Sequence, residues 1–296
     1  MTTTTSVTSA TRRTTDTAVR ATGLTKTYGP QRAVDAIDLR VERGEIFALL
    51  GPNGAGKTTA TEILEGYRRR DGGDVEVLGT DPEKGGTAWR ARIGVVLQSG
   101  VSSDDELTVL ELVRHFATFY RPRSYDPDEL VAAVGLQDCA TTRVRRLSGG
   151  QRRRVDVALG IVGRPELLFL DEPTTGFDPA ARREFWALIR SLAVRGTTVL
   201  LTTHYLDEAE HLADRVAVMS RGRIVALDTP ARLGARQHDV ATVRWCEDGG
   251  SKAVETPAPT ELVQQLARRF GGEVPELSVT RPTLEDTYLR LIGDQS

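Results

Sequence analysis

Short apolar runs alternate with helical stretches between residues 19 and 235. Residues 45–50, 92–97 and 167–172 form apolar runs too short for a typical helix, and they predict buried strands. Residues 57–65 contain no glycine or proline and predict a helix. Residues 179–194 predict another, which Asp178 caps and Pro179 begins. The alternation of strands and helices predicts an α/β core.

Alternating or β-branched segments add further strands to this core. They predict strands at residues 19–27, 33–41, 74–78, 197–201, 216–219 and 223–227, with a helix at 207–212.

The pattern changes to helical spacing between residues 101 and 144. Residues 111–120 have apolar positions at helical spacing, with a start near Thr108. Asp126 followed by Pro127 begins a second helix, because Asp favours the N-cap and Pro the first helical position. We therefore predict a helical subdomain, about residues 99–162, inserted into the core.

The two ends of the chain differ from this core. Residues 1–18 are rich in threonine and have no apolar segment, which predicts a disordered tail and not a secretory signal. The pattern after residue 235 predicts a small α+β appendage at 236–296. Its expected elements are a strand at 240–246, a loop at 247–259, a helix at 261–270, and a helix at 288–292 preceded by a sequence that resembles a capping box.

The composition excludes several classes of protein. With 39% hydrophobic and 27% charged residues the chain has ample apolar material for a core, and its net charge of −2 indicates no general attraction to nucleic acid. The sequence contains no run of about 18 apolar residues, so we expect no membrane-spanning helix. Cys139 and Cys246 lie far apart without neighbouring metal ligands, so we expect neither a disulfide framework nor a zinc site.

The strongest chemical signal follows the strand predicted at residues 45–50. It fits the phosphate-binding pattern G-x-x-x-x-G-K-[ST], and its residues are Gly51, Pro52, Asn53, Gly54, Ala55, Gly56, Lys57, Thr58 and Thr59. Glycines let backbone N–H groups surround an anion, and the following helix adds its positive end. We expect Lys57 to contact the β- and γ-phosphates and Thr58 to coordinate Mg²⁺. The loop alone leaves kinases, GTPases, motors and transport ATPases open.

A second glycine-containing turn precedes a predicted helix at residues 152–162. The signature segment, residues 147–151, reads LSGGQ and offers Ser148, Gly149, Gly150 and Gln151 at a helix N-terminus. Alone it fits a serine N-cap. Together with the phosphate loop, it resembles the signature motif of ATP-binding cassette (ABC) proteins.

Other residues fall where that resemblance requires them. Asp171 and Glu172 end an apolar strand, which suits Mg²⁺ binding, and the resemblance assigns Asp171 to Mg²⁺ and Glu172 to polarising the attacking water. It likewise makes Gln98 a link between Mg²⁺, water and the helical subdomain, and His204 the switch histidine that contacts the γ-phosphate. Asp178 matches the D-loop acid.

Two positions leave alternatives open. The family often has Leu where this chain has Phe177, and we expect the swap to keep an apolar contact. Tyr28 follows a predicted strand and is placed by the resemblance on adenine; a half-buried tyrosine at a strand end is the alternative.

The resemblance covers roughly residues 19–235 and implies an ABC cassette with a mixed sheet, antiparallel strands and an inserted helical subdomain. Residues 147–158, 203–226 and 282–291 are similar to daunorubicin/doxorubicin-type drug-exporter ATPases of the ABC-2 class. This implies ATP and Mg²⁺ as cofactors and a head-to-tail homodimer that encloses two ATP molecules. It also implies a separate polytopic membrane subunit and a peripheral position at the cytoplasmic face of the membrane.

Several functions share these motifs. A soluble ABC ATPase acting on ribosomes or DNA, an ABC-2 exporter of lipid or polysaccharide, an importer, and a P-loop kinase are the alternatives, and LSGGQ with His204 makes the kinase remote. We expect the membrane subunit to contact the surface near residues 98–111, including Leu107 or Val109, and no nucleic acid to bind.

Overall fold

The computed structural model describes residues 17–98, 106–235, 241–247 and 249–280, and residues 285, 288, 289 and 291. The strands are β1 (Thr17–Tyr28), β2 (Gln31–Glu42), β3 (Ile46–Leu50), β4 (Gly72–Val77), β5 (Ile93–Val96), β6 (Leu167–Asp171), β7 (Thr198–Thr203), β8 (Arg215–Ser220), β9 (Arg223–Asp228), β10 (Ala241–Glu247), β11 (Gly250–Thr256) and β12 (Ser278–Thr280). The helices are α1 (Lys57–Leu64), α2 (Thr87–Arg90), α3 (Val109–Ala117), α4 (Pro127–Ala133), α5 (Gly149–Ile161), α6 (Pro179–Val194), α7 (Leu206–Leu212), α8 (Pro230–Ala235) and α9 (Pro259–Phe270).

The central sheet has the strand order β5-β6-β7-β3-β8-β9. Its strands are parallel except for β9, which pairs antiparallel with β8. A second sheet, ordered β2-β1-β4, is antiparallel throughout. The predicted α/β core with a mixed sheet and antiparallel strands is therefore confirmed.

Side chains of the central sheet enter two cores. On β3, Ala48 and Leu50 join one apolar cluster, and Phe47 and Leu49 join the other. The alternation follows from the two-residue period of a strand, and burial on both faces explains why these strands are continuous apolar runs. Full burial of one side chain such as Phe47 stabilises the fold by about 1.5–3 kcal/mol.

Helices α3, α4 and α5 form the helical part of the structure, and they pack on one another. Thr108 caps α3 in a capping box with Glu111, and Asp126 caps α4 through the N–H groups of Asp128 and Glu129. Both predicted helix starts are confirmed.

The C-terminal part combines a three-stranded sheet, ordered β11-β10-β12, with α9. Val243, Trp245, Leu266 and Val274 form its small core. The prediction of a loop at residues 247–259 is wrong, because strand β11 occupies most of that segment. All but the last residue of β11 are solvent-exposed, so the strand carries no hydrophobic alternation in its sequence.

The predicted tail at residues 1–18 also needs correction at its end. Thr17 and Ala18 belong to β1, whose first residue pairs with Glu42, and Ala18 is buried. The rest of the tail and most of the predicted C-terminal capping sequence lie outside the described residues. No helix in the described part of the chain is both long and apolar enough to cross a membrane.

An ion-pair group joins the start of β6 to its neighbours. Arg92 donates two hydrogen bonds to Glu166, at 2.6 and 3.0 Å, and Arg43 donates a third at 2.9 Å. The Arg92 hydrogen bonds and, less strongly, the one from Arg43 lower the pKa of Glu166 from 4.5 to about 2. The ionised carboxylate therefore stabilises the fold above pH 4.5, and this contribution is lost as the pH falls towards 2.

Glu166→Gln tests this contribution, because it removes the charge and keeps the shape. The difference in urea midpoint between wild type and the variant is expected to be largest above pH 5 and to shrink as the pH falls through 4 towards 2. Glu210→Gln, at an exposed carboxylate on α7, is the control for a general charge effect. A difference that does not depend on pH contradicts the assigned pKa.

Candidate functional site

The phosphate loop connects the end of β3 to the start of α1, and close backbone contacts fix two of its glycines. A Cβ atom on Gly51 would lie 2.3 Å from the carbonyl oxygen of Met219, on the neighbouring strand β8. Gly56 has φ of 101°, and its Cβ would lie 2.0 Å from the carbonyl oxygen of Ala33. Both positions admit only glycine, so the loop shape is built into the sequence.

The loop presents donors at the N-terminus of α1. Among the described residues no side chain caps this helix, whereas Thr108, Asp126, Ser148 and Asp178 cap other helices. Uncapped N–H groups and the helix dipole make an anion site there. The side chain of Lys57 is 5% exposed, and its amine donates to the carbonyl oxygens of Gly51 and Pro52, at 2.7 and 3.2 Å.

The other three predicted catalytic side chains meet at the carboxylate of Glu172. The Gln98 amide donates to its Oε2 at 3.0 Å, Nδ1 of His204 lies 3.2 Å from its Oε1, and Nζ of Lys57 lies 3.7 Å from the same oxygen. These residues come from three strand ends and the phosphate loop. The carboxylate therefore lies between a cation, an amide and an imidazole.

Burial and charge act in opposite directions on Lys57. Desolvation, the larger effect, lowers the pKa of its amine, and the carboxylates of Glu172 and Asp171 raise it. An anionic ligand at this place would replace lost solvation and favour the charged amine.

Thr202 on β7 holds the two acids in position. Its hydroxyl donates to Oδ1 of Asp171 and lies 3.2 Å from the backbone nitrogen of Glu172, which also donates to the carbonyl oxygen of Thr202 at 3.1 Å. Glu172 has φ of 43°, in the left-handed region where non-glycine residues are uncommon. These hydrogen bonds hold that backbone where the carboxylate faces Gln98 and His204.

The signature segment lies at the N-terminus of α5. The Ser148 hydroxyl accepts a hydrogen bond from the backbone N–H of Gln151, and the Gln151 side chain accepts one from the N–H of Ser148. Nε2 of Gln151 lies 3.2 Å from the sulfur of Cys139. The Gln151 side chain is thus turned back onto its own helix, while the Ser148 hydroxyl keeps its proton for a further acceptor.

Asp178 caps α6 as expected, accepting from the N–H groups of Ala180 and Ala181 at 2.9 Å. The ring of Phe177 packs edge-on against Phe185, with centroids 5.7 Å apart. The expected apolar contact of Phe177 is confirmed.

Comparison with known proteins agrees with this geometry. Residues 34–175 match the ABC transporter family. A daunorubicin resistance ATP-binding protein of Streptomyces coeruleorubidus is 39% identical over 307 residues, which cover 94% of this chain and 97% of the relative. A fluoroquinolones export ATP-binding protein of Mycobacterium tuberculosis is 42% identical over 283 residues, covering 94% of each chain. This chain belongs to the ATP-binding proteins of ABC transporters.

A solved ATP-binding cassette of the same family, a dimer in a post-hydrolysis state with ADP and Pi, shares the fold. It is 25% identical, and the superposition has a TM-score of 0.63 over 71% of this chain and 98% of that one. The prediction of an ABC cassette is confirmed, and this chain is a nucleotide-binding protein.

Tyr28 has surroundings that suit either of its two predicted roles in this ABC protein. It ends β1 and is 41% exposed. The amine of Lys26 lies 5.5 Å and the guanidinium carbon of Arg68 lies 5.4 Å from its ring centroid. The ring is accessible beside two cations, so its contact with adenine stays a prediction.

Sequence reasoning missed two residues of the ABC site. Thr202 had one available signal, a pair of threonines that follow three apolar residues of the strand and directly precede His204. Glu65 lines the cleft that also contains Thr58 and Asp171. Burial, followed by the charges of Asp171 and Glu62, raises the pKa of Glu65 to about 8, so this carboxyl is largely protonated at neutral pH.

Thr202→Val tests the positioning of the two acids, since it keeps the shape of the side chain and removes the hydroxyl. We expect kcat for ATP to fall about tenfold or more, because a hydrogen bond to a charged group is worth about 1.5–3 kcal/mol. Steady-state phosphate release measures this.

Thr198→Val is the matched control on the same strand. Its hydroxyl accepts from the N–H of Gly44 at 3.0 Å, at the opposite end of β7 from the acids. This variant should lose some thermal stability and keep wild-type kcat. Wild-type kcat in Thr202→Val would show that the hydroxyl does not position the acids.

Proposed function

We propose that this chain is the ATP-hydrolysing subunit of an ABC exporter. The observation that carries the proposal is the set of contacts at Glu172, where Gln98, His204 and Lys57 meet one carboxylate beside the phosphate loop. A carboxylate held in this way suits the polarisation of a water molecule for attack on a phosphoryl group.

The loop residues suit the triphosphate of ATP. The backbone N–H groups from Gly54 to Thr59 and the amine of Lys57 would hold the β- and γ-phosphates, and Tyr28 would stack on adenine. Thr58, Gln98 and Asp171 offer the hydroxyl and carbonyl or carboxylate oxygens that Mg²⁺ prefers. When bound, Mg²⁺ neutralises charge on the phosphates.

A second copy of the chain would complete each site. Within one chain, the hydrogen bonds of Ser148 and Gln151 described above stay in the helical part. Ser148, Gly149 and Gly150 of one copy would close on the γ-phosphate held by the other, with Asp178 nearby. The solved relative named above is a dimer, which supports the pairing of two copies.

We infer export through a separate membrane subunit, and the relatives support the export part of this inference. They are ATP-binding proteins of daunorubicin resistance and of fluoroquinolones export, and both match nearly the whole of this chain. We infer a drug-like or other hydrophobic substrate and a peripheral position at the cytoplasmic face of the membrane. Substrate choice would lie in the membrane subunit.

The surface for that subunit lies beside the cleft between the central sheet and the helical part. The cleft has a volume of about 1160 Å³, and Tyr67, Leu97, Phe116 and Tyr120 are among its lining residues. Tyr67 is 83% exposed, Leu97 54%, and Phe119, whose ring packs edge-on against Phe116, 70%. An apolar helix of a membrane subunit fits such a surface.

This surface differs in part from the one expected from the sequence, which included Leu107 or Val109. Val109, predicted to face the partner, is fully buried at the start of α3, and Leu107 packs against the same core. Changes at Val109 would disturb the core of the helical part and leave the docking question unanswered.

Glu172→Gln tests hydrolysis. It should bind ATP, remain as a dimer in its presence and release phosphate at least about 100-fold more slowly, because a general base typically contributes that much. Phosphate release and size-exclusion chromatography with ATP measure the two effects. Glu210→Gln, the same substitution at an exposed residue of α7, is the control. Near-normal phosphate release by Glu172→Gln contradicts the role of Glu172.

Tyr67→Glu and Phe119→Glu test docking. Each should keep the ATPase rate of the isolated chain within about twofold, as exposed substitutions usually do, and abolish co-purification with a polytopic membrane protein from the host. Val194→Glu, at an 88% exposed residue that ends α6, is the control and should still co-purify. Unchanged co-purification by both test variants places the surface elsewhere.

A further inference from the structure

A buried arginine connects the helical part to the catalytic strands. Arg153 lies on α5 and is 7% exposed. Its Nε donates to the carbonyl oxygen of Pro173 at 3.0 Å, one terminal nitrogen donates to that of Asp171 at 3.0 Å, and the other donates to that of Leu97. One guanidinium group thus binds three backbone carbonyls in two separate segments, one at the end of β5 and one at the end of β6.

The three carbonyls flank the catalytic residues. Leu97 directly precedes Gln98, while Asp171 and Pro173 lie on either side of Glu172. Gln98 and Glu172 are joined by the hydrogen bond of 3.0 Å between their side chains. Arg153 therefore holds the backbone next to both partners of that hydrogen bond.

The chemistry of arginine suits this place and that of lysine does not. A planar guanidinium has donors that point in several fixed directions, whereas an ammonium is a compact point charge. Desolvation lowers the pKa of Arg153, and the charges of Asp156, Asp171 and Glu208 oppose that effect. Oδ2 of Asp156, one turn further along α5, lies 3.8 Å from the guanidinium.

We propose that Arg153 is a positioning residue that sets the contact between Gln98 and Glu172 from the signature helix α5. Since α5 begins at the signature segment, a displacement of that segment reaches the backbone of both residues through one side chain. The proposal rests on the catalytic roles proposed for Gln98 and Glu172. Arg153 itself has no described contact with the phosphate loop.

Four proteins test the proposal: wild type, Arg153→Lys, Gln98→Ala and the double variant. Arg153→Lys keeps the charge and loses the fork of donors. We expect its kcat to fall about tenfold while KM for ATP stays within about twofold, because the phosphate loop is untouched. In the double variant the loss should be clearly smaller than the product of the two single losses, since both changes remove the same contact.

The outcomes separate this inference from the proposed function. If Gln98→Ala keeps wild-type kcat, Gln98 has no role in hydrolysis, and both that part of the proposed function and this inference are overturned. If kcat of the double variant falls by the full product of the two single losses, the proposed function stands and the positioning role of Arg153 is overturned. Wild-type kcat in Arg153→Lys overturns it as well.

Folding is checked with the thermal midpoint of each variant and with a second substitution, Arg153→Gln. Arg114→Gln is the control for loss of an arginine in the helical part, because Arg114 makes an exposed ion pair with Asp128 on α4. It should keep wild-type kcat and KM. If both Arg153 variants fail to fold, the residue acts in folding alone and the proposal is overturned.

Discussion

The parallel register of β3, β7, β6 and β5 sets the geometry of the whole site. In a parallel sheet all strands point the same way, so their carboxyl ends lie along one edge. The phosphate loop follows β3, His204 follows β7, Glu172 follows β6, and Gln98 lies just past β5. Register is strongly specified because the strands are buried on both faces, and a slip of one residue would turn core side chains out of their clusters. The positions of four chemical groups are thus a consequence of apolar packing.

That edge concentrates charge, and the site depends on how the charges are balanced. Lys57 is buried against Glu172 and near Asp171, and the charges of these two carboxylates oppose the effect of lost solvation on its amine. Backbone carbonyl groups at the ends of β5 and β6 accept hydrogen bonds from Arg153, which lies outside the sheet. The charges at this edge of the sheet are therefore balanced partly by a residue of the helical part. This makes the central sheet and the helical part electrostatically dependent on each other.

The sequence allowed prediction of the elements whose signal is local. Buried strands such as β3 and β6 were visible as short apolar runs, and Asp126 and Asp178 marked helix starts because capping involves only neighbouring residues. Strand β11 was missed because its exposed side chains have no alternation. Thr202 and Arg153 were missed for another reason: their partners lie 18 to 56 residues away in the chain, and no spacing rule brings them together. Periodicity predicted that the start of α3 was helical and did not show that Val109 faces inward.

The left-handed backbone of Glu172 also limits how this enzyme can change over evolutionary time. A residue at φ of 43° cannot be β-branched without serious strain, so valine, isoleucine and threonine are poor replacements whatever their chemistry. Asparagine, aspartate and glycine tolerate that conformation best. A lineage in which this position changed would therefore be expected to carry one of a few residues there, and the backbone conformation would determine which ones.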